Sequence, residues 1–146
     1  MTDAAAMEAR LRSSFAKQGL MQLFGASITR IAPGQVEISL APKPELSQHG
    51  FVHGGALTAI ADSAAGYAAL SLMPANSGVL TTEMKINFLA PAAGDHIIAR
   101  GKVLKAGRTL SLVQTEIFAV MADQERLIAF LTATFMTMEN RDGIED

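Results

Sequence analysis

The stretch that most constrains this chain runs over residues 48–73, QHGFVHGGALTAIADSAAGYAALSLM. Between Gly50 and Thr82 the only Asp, Glu, Lys or Arg is Asp62. An ionised carboxylate costs several kcal/mol to bury alone, so Asp62 needs polar partners or a wet cleft. From Ala56 to Leu72 almost every residue is helix-tolerant and no proline occurs before Pro74, so a helix is predicted, with a flexible start at Gly54-Gly55. The apolar residues surround its axis instead of forming a stripe, which implies burial on every side. A bilayer span is the competing reading, since about twenty apolar residues suffice. A mid-helix carboxylate is costly in lipid, however, and the flanking segments read as soluble strands. The expectation is a buried central helix.

At 146 residues the chain is long enough for one domain with a sizeable core. Its net charge of −2 is spread along the sequence, leaving no basic patch for nucleic acid or an anionic membrane. Cysteine is absent, which excludes disulfides and thiolate metal sites. The opening MTDAAAMEARLRSS carries acidic residues early and has no apolar core of a secretory signal, so a cytoplasmic location is expected.

Met7, Leu11 and Phe15, four apart, predict a short helix over residues 2–17, capped by Thr2 or Asp3 and ended by Gly19. Residues 20–25 give little signal. Residues 26–31 and the alternating 35–40 then read as a hairpin about Pro33-Gly34. After the central helix, residues 82–89 alternate, with Met84, Ile86 and Phe88 opposite Glu83, Lys85 and Asn87. Strands over 96–105, 109–120 and 127–138 follow in hairpin succession, with tight turns at 106–108 and 122–124. The organisation expected is an N-terminal helix over 1–19, one domain over 20–139, and a charged, frayed tail over 140–146. The predicted class is α+β: an antiparallel sheet of this size must cover one face, and the all-round apolar helix is its natural cover. A curled antiparallel sheet wrapped around a long central helix, with an extra N-terminal helix, is the hotdog fold.

The run HGGALTAIADSAAGYAA, followed by TTEMKINFLAPA and KAGRTLSLVQTEIF, resembles the phenylacetate-degradation (PaaI-like) branch of the hotdog-fold acyl-CoA thioesterases. The three blocks occur in the family's order with the family's gaps, and the resemblance covers roughly residues 20–138. The resemblance implies hydrolysis of an acyl-CoA thioester in a homodimer, or a tetramer of two dimers. It implies neither a metal nor an organic cofactor, coenzyme A being part of the substrate.

The residues point the same way. An attacked thioester carbonyl becomes an oxyanion, and the N–H groups at a helix N-terminus are ready donors for it. Gly54 and Gly55 sit at such a terminus without side chains to block a ligand, and the resemblance favours Gly54 as the donor. Asp62 is the expected nucleophile or general base, or else a structural carboxylate paired with Ser63, Thr81 or Thr82. Gly54 and Asp62 are eight residues apart on one helix, about 12 Å along its axis. Catalytic groups must lie within about 3 Å of the atoms they act on. If both act, Gly54 of one subunit must face Asp62 of another.

PaaI-like members commonly carry Asn six residues before the motif histidine, where this chain has Ser47. Gln48 beside it, or His49, can take that role. His53 reads as a loop-fixing residue, with direct acid–base work as the alternative. His49 and His53 have the spacing of a metal pair, but they precede the helix and lack a third ligand. The resemblance gives Thr81 a hydroxyl that orients the water or the carboxylate. Arg108, after Gly107 in a turn, is a candidate for a CoA phosphate. Tyr67, Leu72 and Met73 are core or acyl-pocket residues. Alternatives are an acyl-carrier-protein thioesterase, a non-catalytic acyl-CoA-binding or regulatory protein, and a hydratase. The last is disfavoured because Asp62 follows His53 by nine residues.

Overall fold

In the computed structural model, residues 3–144 and 146 are described. Helix α1 (Ala4–Ala16) starts at Asp3, whose carboxylate accepts the Ala5 N–H, so Asp3 is the observed cap. Thr2, the other expected cap, lies outside the described residues. Met7 and Leu11 are buried, and Phe15 meets Tyr67 edge-on with ring centroids 6.0 Å apart. Gly19 does not end this helix. The C-cap is Lys17, and Gly19 opens a second helix, α2 (Gly19–Phe24), which a left-handed Gly25 terminates. Six residues are too few to show a helical period, which is why residues 20–25 gave little signal.

Strands β1 (Ser27–Ala32) and β2 (Gln35–Leu40) form the expected hairpin. A short hairpin, β3 (Ser47–Gln48) and β4 (Phe51–Val52), leads into the central helix α3 (Gly54–Leu70). Four long strands follow: β5 (Ser77–Phe88), β6 (His96–Ala106), β7 (Leu110–Met121) and β8 (Gln124–Glu139). All six long strands pair antiparallel in the order β1-β2-β6-β7-β8-β5. The last four strands are therefore not all in hairpin succession. β6, β7 and β8 form a meander, whereas β5 leaves for the far edge and pairs with β8. It also starts five residues earlier than its alternation suggested, because its ladder with β8 reaches Ser77 opposite Glu139.

The sheet curls round α3, which contacts β2, β5, β6, β7 and β8. The helix sits close because its core-facing residues are small: Ala61, Ala64, Ala65, Ala68 and Ala69 are essentially fully buried. Gly101 on β6 is required by this closeness, since a Cβ there would lie 2.5 Å from the Ala64 carbonyl oxygen. The buried Thr115 hydroxyl donates to the Ala61 carbonyl at 2.9 Å and ties sheet to helix. Burial on every side holds only for the C-terminal half of α3. Thr58, Ala59, Asp62 and Ser63 lie on a stripe that is partly open in the single chain.

Candidate active site

Asp62 lies in a cleft of about 180 Å³ lined by Gln18, Ser63, Gly66, Tyr67, Val79, Thr81, Phe135 and Asp146. Of the three hydroxyls expected as partners, Thr81 is the one that meets it, donating to the Asp62 carboxylate at 2.8 Å. Burial pushes the Asp62 carboxyl above its ordinary range, and the Thr81 hydrogen bond partly offsets this by favouring the ionised form. Thr82 donates instead to the Thr134 carbonyl at 3.0 Å.

The difference between these two threonines comes from a bulge. The β5–β8 register shifts between Thr81 and Glu83. Phe88 packs on the start of α3 beside Gly54, which places the even-numbered residues near it on the helix side. Continued alternation would aim Thr82 at α3. The extra residue reverses the parity and delivers Thr81 to Asp62, as bulges at functional sites do.

At the N-terminus of α3, His53 is the cap: its Nδ1 accepts the Gly55 N–H at 2.8 Å. The Ala56 and Leu57 N–H groups donate to the His53 carbonyl. Of the first four donors of α3, only the Gly54 N–H is left without a partner among the described residues. Gly54 is therefore an open donor at the positive end of the helix, whereas the Gly55 donor is occupied.

Other candidates fall elsewhere. Ser47 donates to the Lys43 carbonyl at 2.8 Å. Gln48 and His49 are exposed on the β3–β4 hairpin, whose turn takes positive φ at His49 (55°) and Gly50 (80°). None of the three lines the Asp62 cleft of the same chain. Gly107 and Arg108 border a separate cleft of about 170 Å³ with Leu72 and Met73, beyond the C-terminal end of α3. A Cβ at Gly107 would lie 2.2 Å from the Leu110 carbonyl oxygen, so the turn itself demands glycine. No group of three His, Asp or Glu side chains suited to a metal occurs among the described residues.

Gln18 and Asp146 are polar cleft residues that sequence reasoning missed, and Gln18 is the harder of the two to foresee. It lies between two helices, where no periodicity or motif marks it. Its Nε2 donates to the Tyr67 hydroxyl at 2.7 Å, and its Oε1 faces the Ser63 hydroxyl at 3.4 Å. Tyr67 is buried, and burial pushes its phenol above the ordinary value, so it keeps its proton. No described helix is long and apolar enough to cross a membrane.

Comparison with known proteins supplies the family. Residues 49–134 match the model of the thioesterase superfamily. A protein of Halobacterium salinarum named as an esterase is 29% identical over 121 residues, covering 79% of this chain and 78% of that one. A thioesterase family protein from Silicibacter pomeroyi superposes with a TM-score of 0.90 at 42% identity, over 92% of this chain and 99% of that one. The PaaI protein of the Escherichia coli phenylacetic acid degradation operon shares the fold, with a TM-score of 0.82 at 21% identity over 94% and 96% of the two chains. Because the superfamily model matches residues 49–134, more than half of the chain and including α3, β5, β6 and β7, this chain belongs to the thioesterase superfamily and is a thioester hydrolase.

Proposed function

We propose that the chain hydrolyses acyl-CoA thioesters, with small to medium or aromatic acyl groups, at two equivalent sites of a homodimer. Each site takes Asp62 from one subunit and the Gly54 N–H from its partner. Asp62 draws a proton from a water molecule as the water oxygen attacks the thioester carbon. The Gly54 N–H receives the oxyanion of the tetrahedral intermediate. When the C–S bond breaks, the proton held by Asp62 passes to the leaving CoA sulfur. A carboxyl raised by burial is a better base than an ordinary one, which favours activation of water over direct attack. The scheme uses only side-chain and backbone groups of the protein.

The observation that carries this reading is that α3 has an open carboxylate and an open N–H at places that one substrate carbonyl cannot span. Both places lie along β5, the twelve-residue edge strand: Thr81 meets Asp62 and Phe88 meets Gly54. Leu80, Met84 and Phe88 are exposed there, and an uncovered long edge is a template for pairing. Pairing β5 antiparallel with its own copy, about a two-fold axis at Met84, brings Thr81 of each chain alongside the 86–88 segment of the other. Asp62 then approaches the partner's Gly54 end. This register also sets Glu83 opposite Lys85 twice, whereas an axis at Lys85 would oppose two lysines. The exposed Leu104, Leu110 and Leu112 offer apolar surface for joining two such dimers. Arg108, exposed in its turn, is the proposed contact for a CoA phosphate.

The test is complementation. Asp62→Asn removes the base. Gly54→Pro removes one N–H at the first helical position, where proline is tolerated; the preceding His53 (φ −59°, ψ 137°) is compatible with it, and the new Cβ would meet the exposed Phe88 ring at 3.0 Å, which must swing aside. Each variant alone should release no CoA thiol above background. Equal mixing after subunit exchange should restore about a quarter of wild-type activity, because half of the dimers then hold one intact site. Mixtures that stay inactive despite exchange would overturn the site shared between subunits.

A further inference from the structure

The cleft beside Asp62 ends against a wall that belongs to neither α3 nor the sheet. Asp146 lines this cleft and also lines a neighbouring cavity of about 430 Å³ with Ala75, Asn76, Ser77, Asn140, Arg141, Asp142 and Ile144. Its side chain borders both spaces. The expected frayed tail is in fact folded back over its described residues. Ile144 and Asp146 pack on Gly78, where a Cβ would lie 2.9 Å from the Ile144 carbonyl oxygen and 3.2 Å from the Asp146 Oδ2.

The hydrogen bonds holding Asp146 have a fixed direction. Its carboxylate accepts from the Val79 N–H at 2.8 Å and from the Ser14 hydroxyl at 3.1 Å. With the Ser14 proton so committed, the 3.0 Å contact between Ser14 and Tyr67 must be donated by Tyr67. Tyr67 in turn accepts from Gln18 Nε2. The chain runs one way, from Gln18 through Tyr67 and Ser14 to Asp146, and each hydroxyl proton in it has one destination. It anchors the segment after β8 to the helices before β1, across the far end of the cleft.

We propose that Asp146 is the end wall of the acyl site and sets an upper limit on acyl length. This rests on the thioesterase reading given above. From Asp62 to Tyr67 is five residues of helix, about 7.5 Å, or roughly six carbon–carbon bonds of an extended chain. A longer apolar chain would have to displace a carboxylate that is doubly hydrogen-bonded and offers no apolar contact. Beyond it lies the larger cavity. The selected substrates are therefore acyl-CoAs of about six to eight carbons or fewer.

Two variants remove the wall by different routes. Asp146→Gly deletes the carboxylate, and Gly78→Ala pushes the returning segment off β5 while leaving Asp146 in the chain. The measured quantity is the ratio of kcat/KM for dodecanoyl-CoA to that for hexanoyl-CoA. It should rise about tenfold or more in both variants, because a longer chain then has no hydrogen-bonded carboxylate to displace. Binding of hydrolysis-inert S-hexyl- and S-dodecyl-CoA thioethers, measured by calorimetry, should shift in the same sense. An unchanged ratio in both variants, or a wild type that already prefers dodecanoyl-CoA, overturns the proposal. If the wild type cleaves no acyl-CoA, the thioesterase reading fails, and the thioether affinities decide separately: equal length preference in wild type and variants removes the wall.

Discussion

Asp62 is a carboxylate under two opposed influences: burial disfavours its charge and the Thr81 hydroxyl favours it. As the proposed base, Asp62 must be ionised to accept a proton, so activity should fall as pH drops through its pKa. Thr81→Val removes the hydrogen bond and leaves the burial, so the pKa moves further up. The acid limb of the kcat profile should move to higher pH in that variant, with a smaller effect at alkaline pH. A limb that stays in place would mean that Asp62 is not the group being titrated. The candidate partners of Asp62 were legible as three nearby hydroxyls, but the choice among them was not. It depends on a bulge created by tertiary pairing with β8, and nothing in the local alternation of residues 82–89 announces that shift. Gln18 was illegible for a simpler reason. A polar residue between two helices has the same appearance in sequence whether it faces water or a cleft.

Among the elements, α3 was the most legible, because seventeen residues with one charge allow few alternatives. The exposed stripe around Thr58 and Asp62 was not, since periodicity reports what can be buried and not what the neighbouring elements leave uncovered. The same holds for β5. Its residues were readable as a strand, but its place at the sheet edge depends on which strand it pairs with. Contact between α3 and β6 depends on Gly101. Alanine there would put a methyl against the Ala64 backbone, which cannot rotate away as a side chain would. Gly101→Ala should destabilise the fold by about 1–3 kcal/mol through forced separation of helix and sheet. Urea unfolding checks this: the midpoint should fall with an unchanged slope. A variant as stable as wild type would mean that the helix can ride higher on the sheet.

For the molecule as a whole, the register proposed for the β5 edge can be tested by charge. Lys85→Glu places like charges opposite each other at two symmetric positions, and the dimer should weaken by about tenfold. Glu83→Lys combined with Lys85→Glu restores opposite charges and should restore the dimer, as read by sedimentation. If the double exchange associates no better than Lys85→Glu alone, Glu83 and Lys85 do not face one another across the axis. Family and fold were readable from three sequence blocks, whereas assembly depends on surfaces that periodicity describes only as exposed.

The cleft wall contributed by Gln18 and Asp146 comes from segments that flank the sheet, and neither side chain is part of the alanine-rich contact that holds α3 in place. Changes within that contact are penalised by overpacking, while changes in the flanking segments disturb few core contacts. Selection for a new acyl group can therefore act on the boundary of the cleft while the groups proposed to carry out the reaction stay fixed. In the proposed scheme, chemistry and substrate range are separately evolvable.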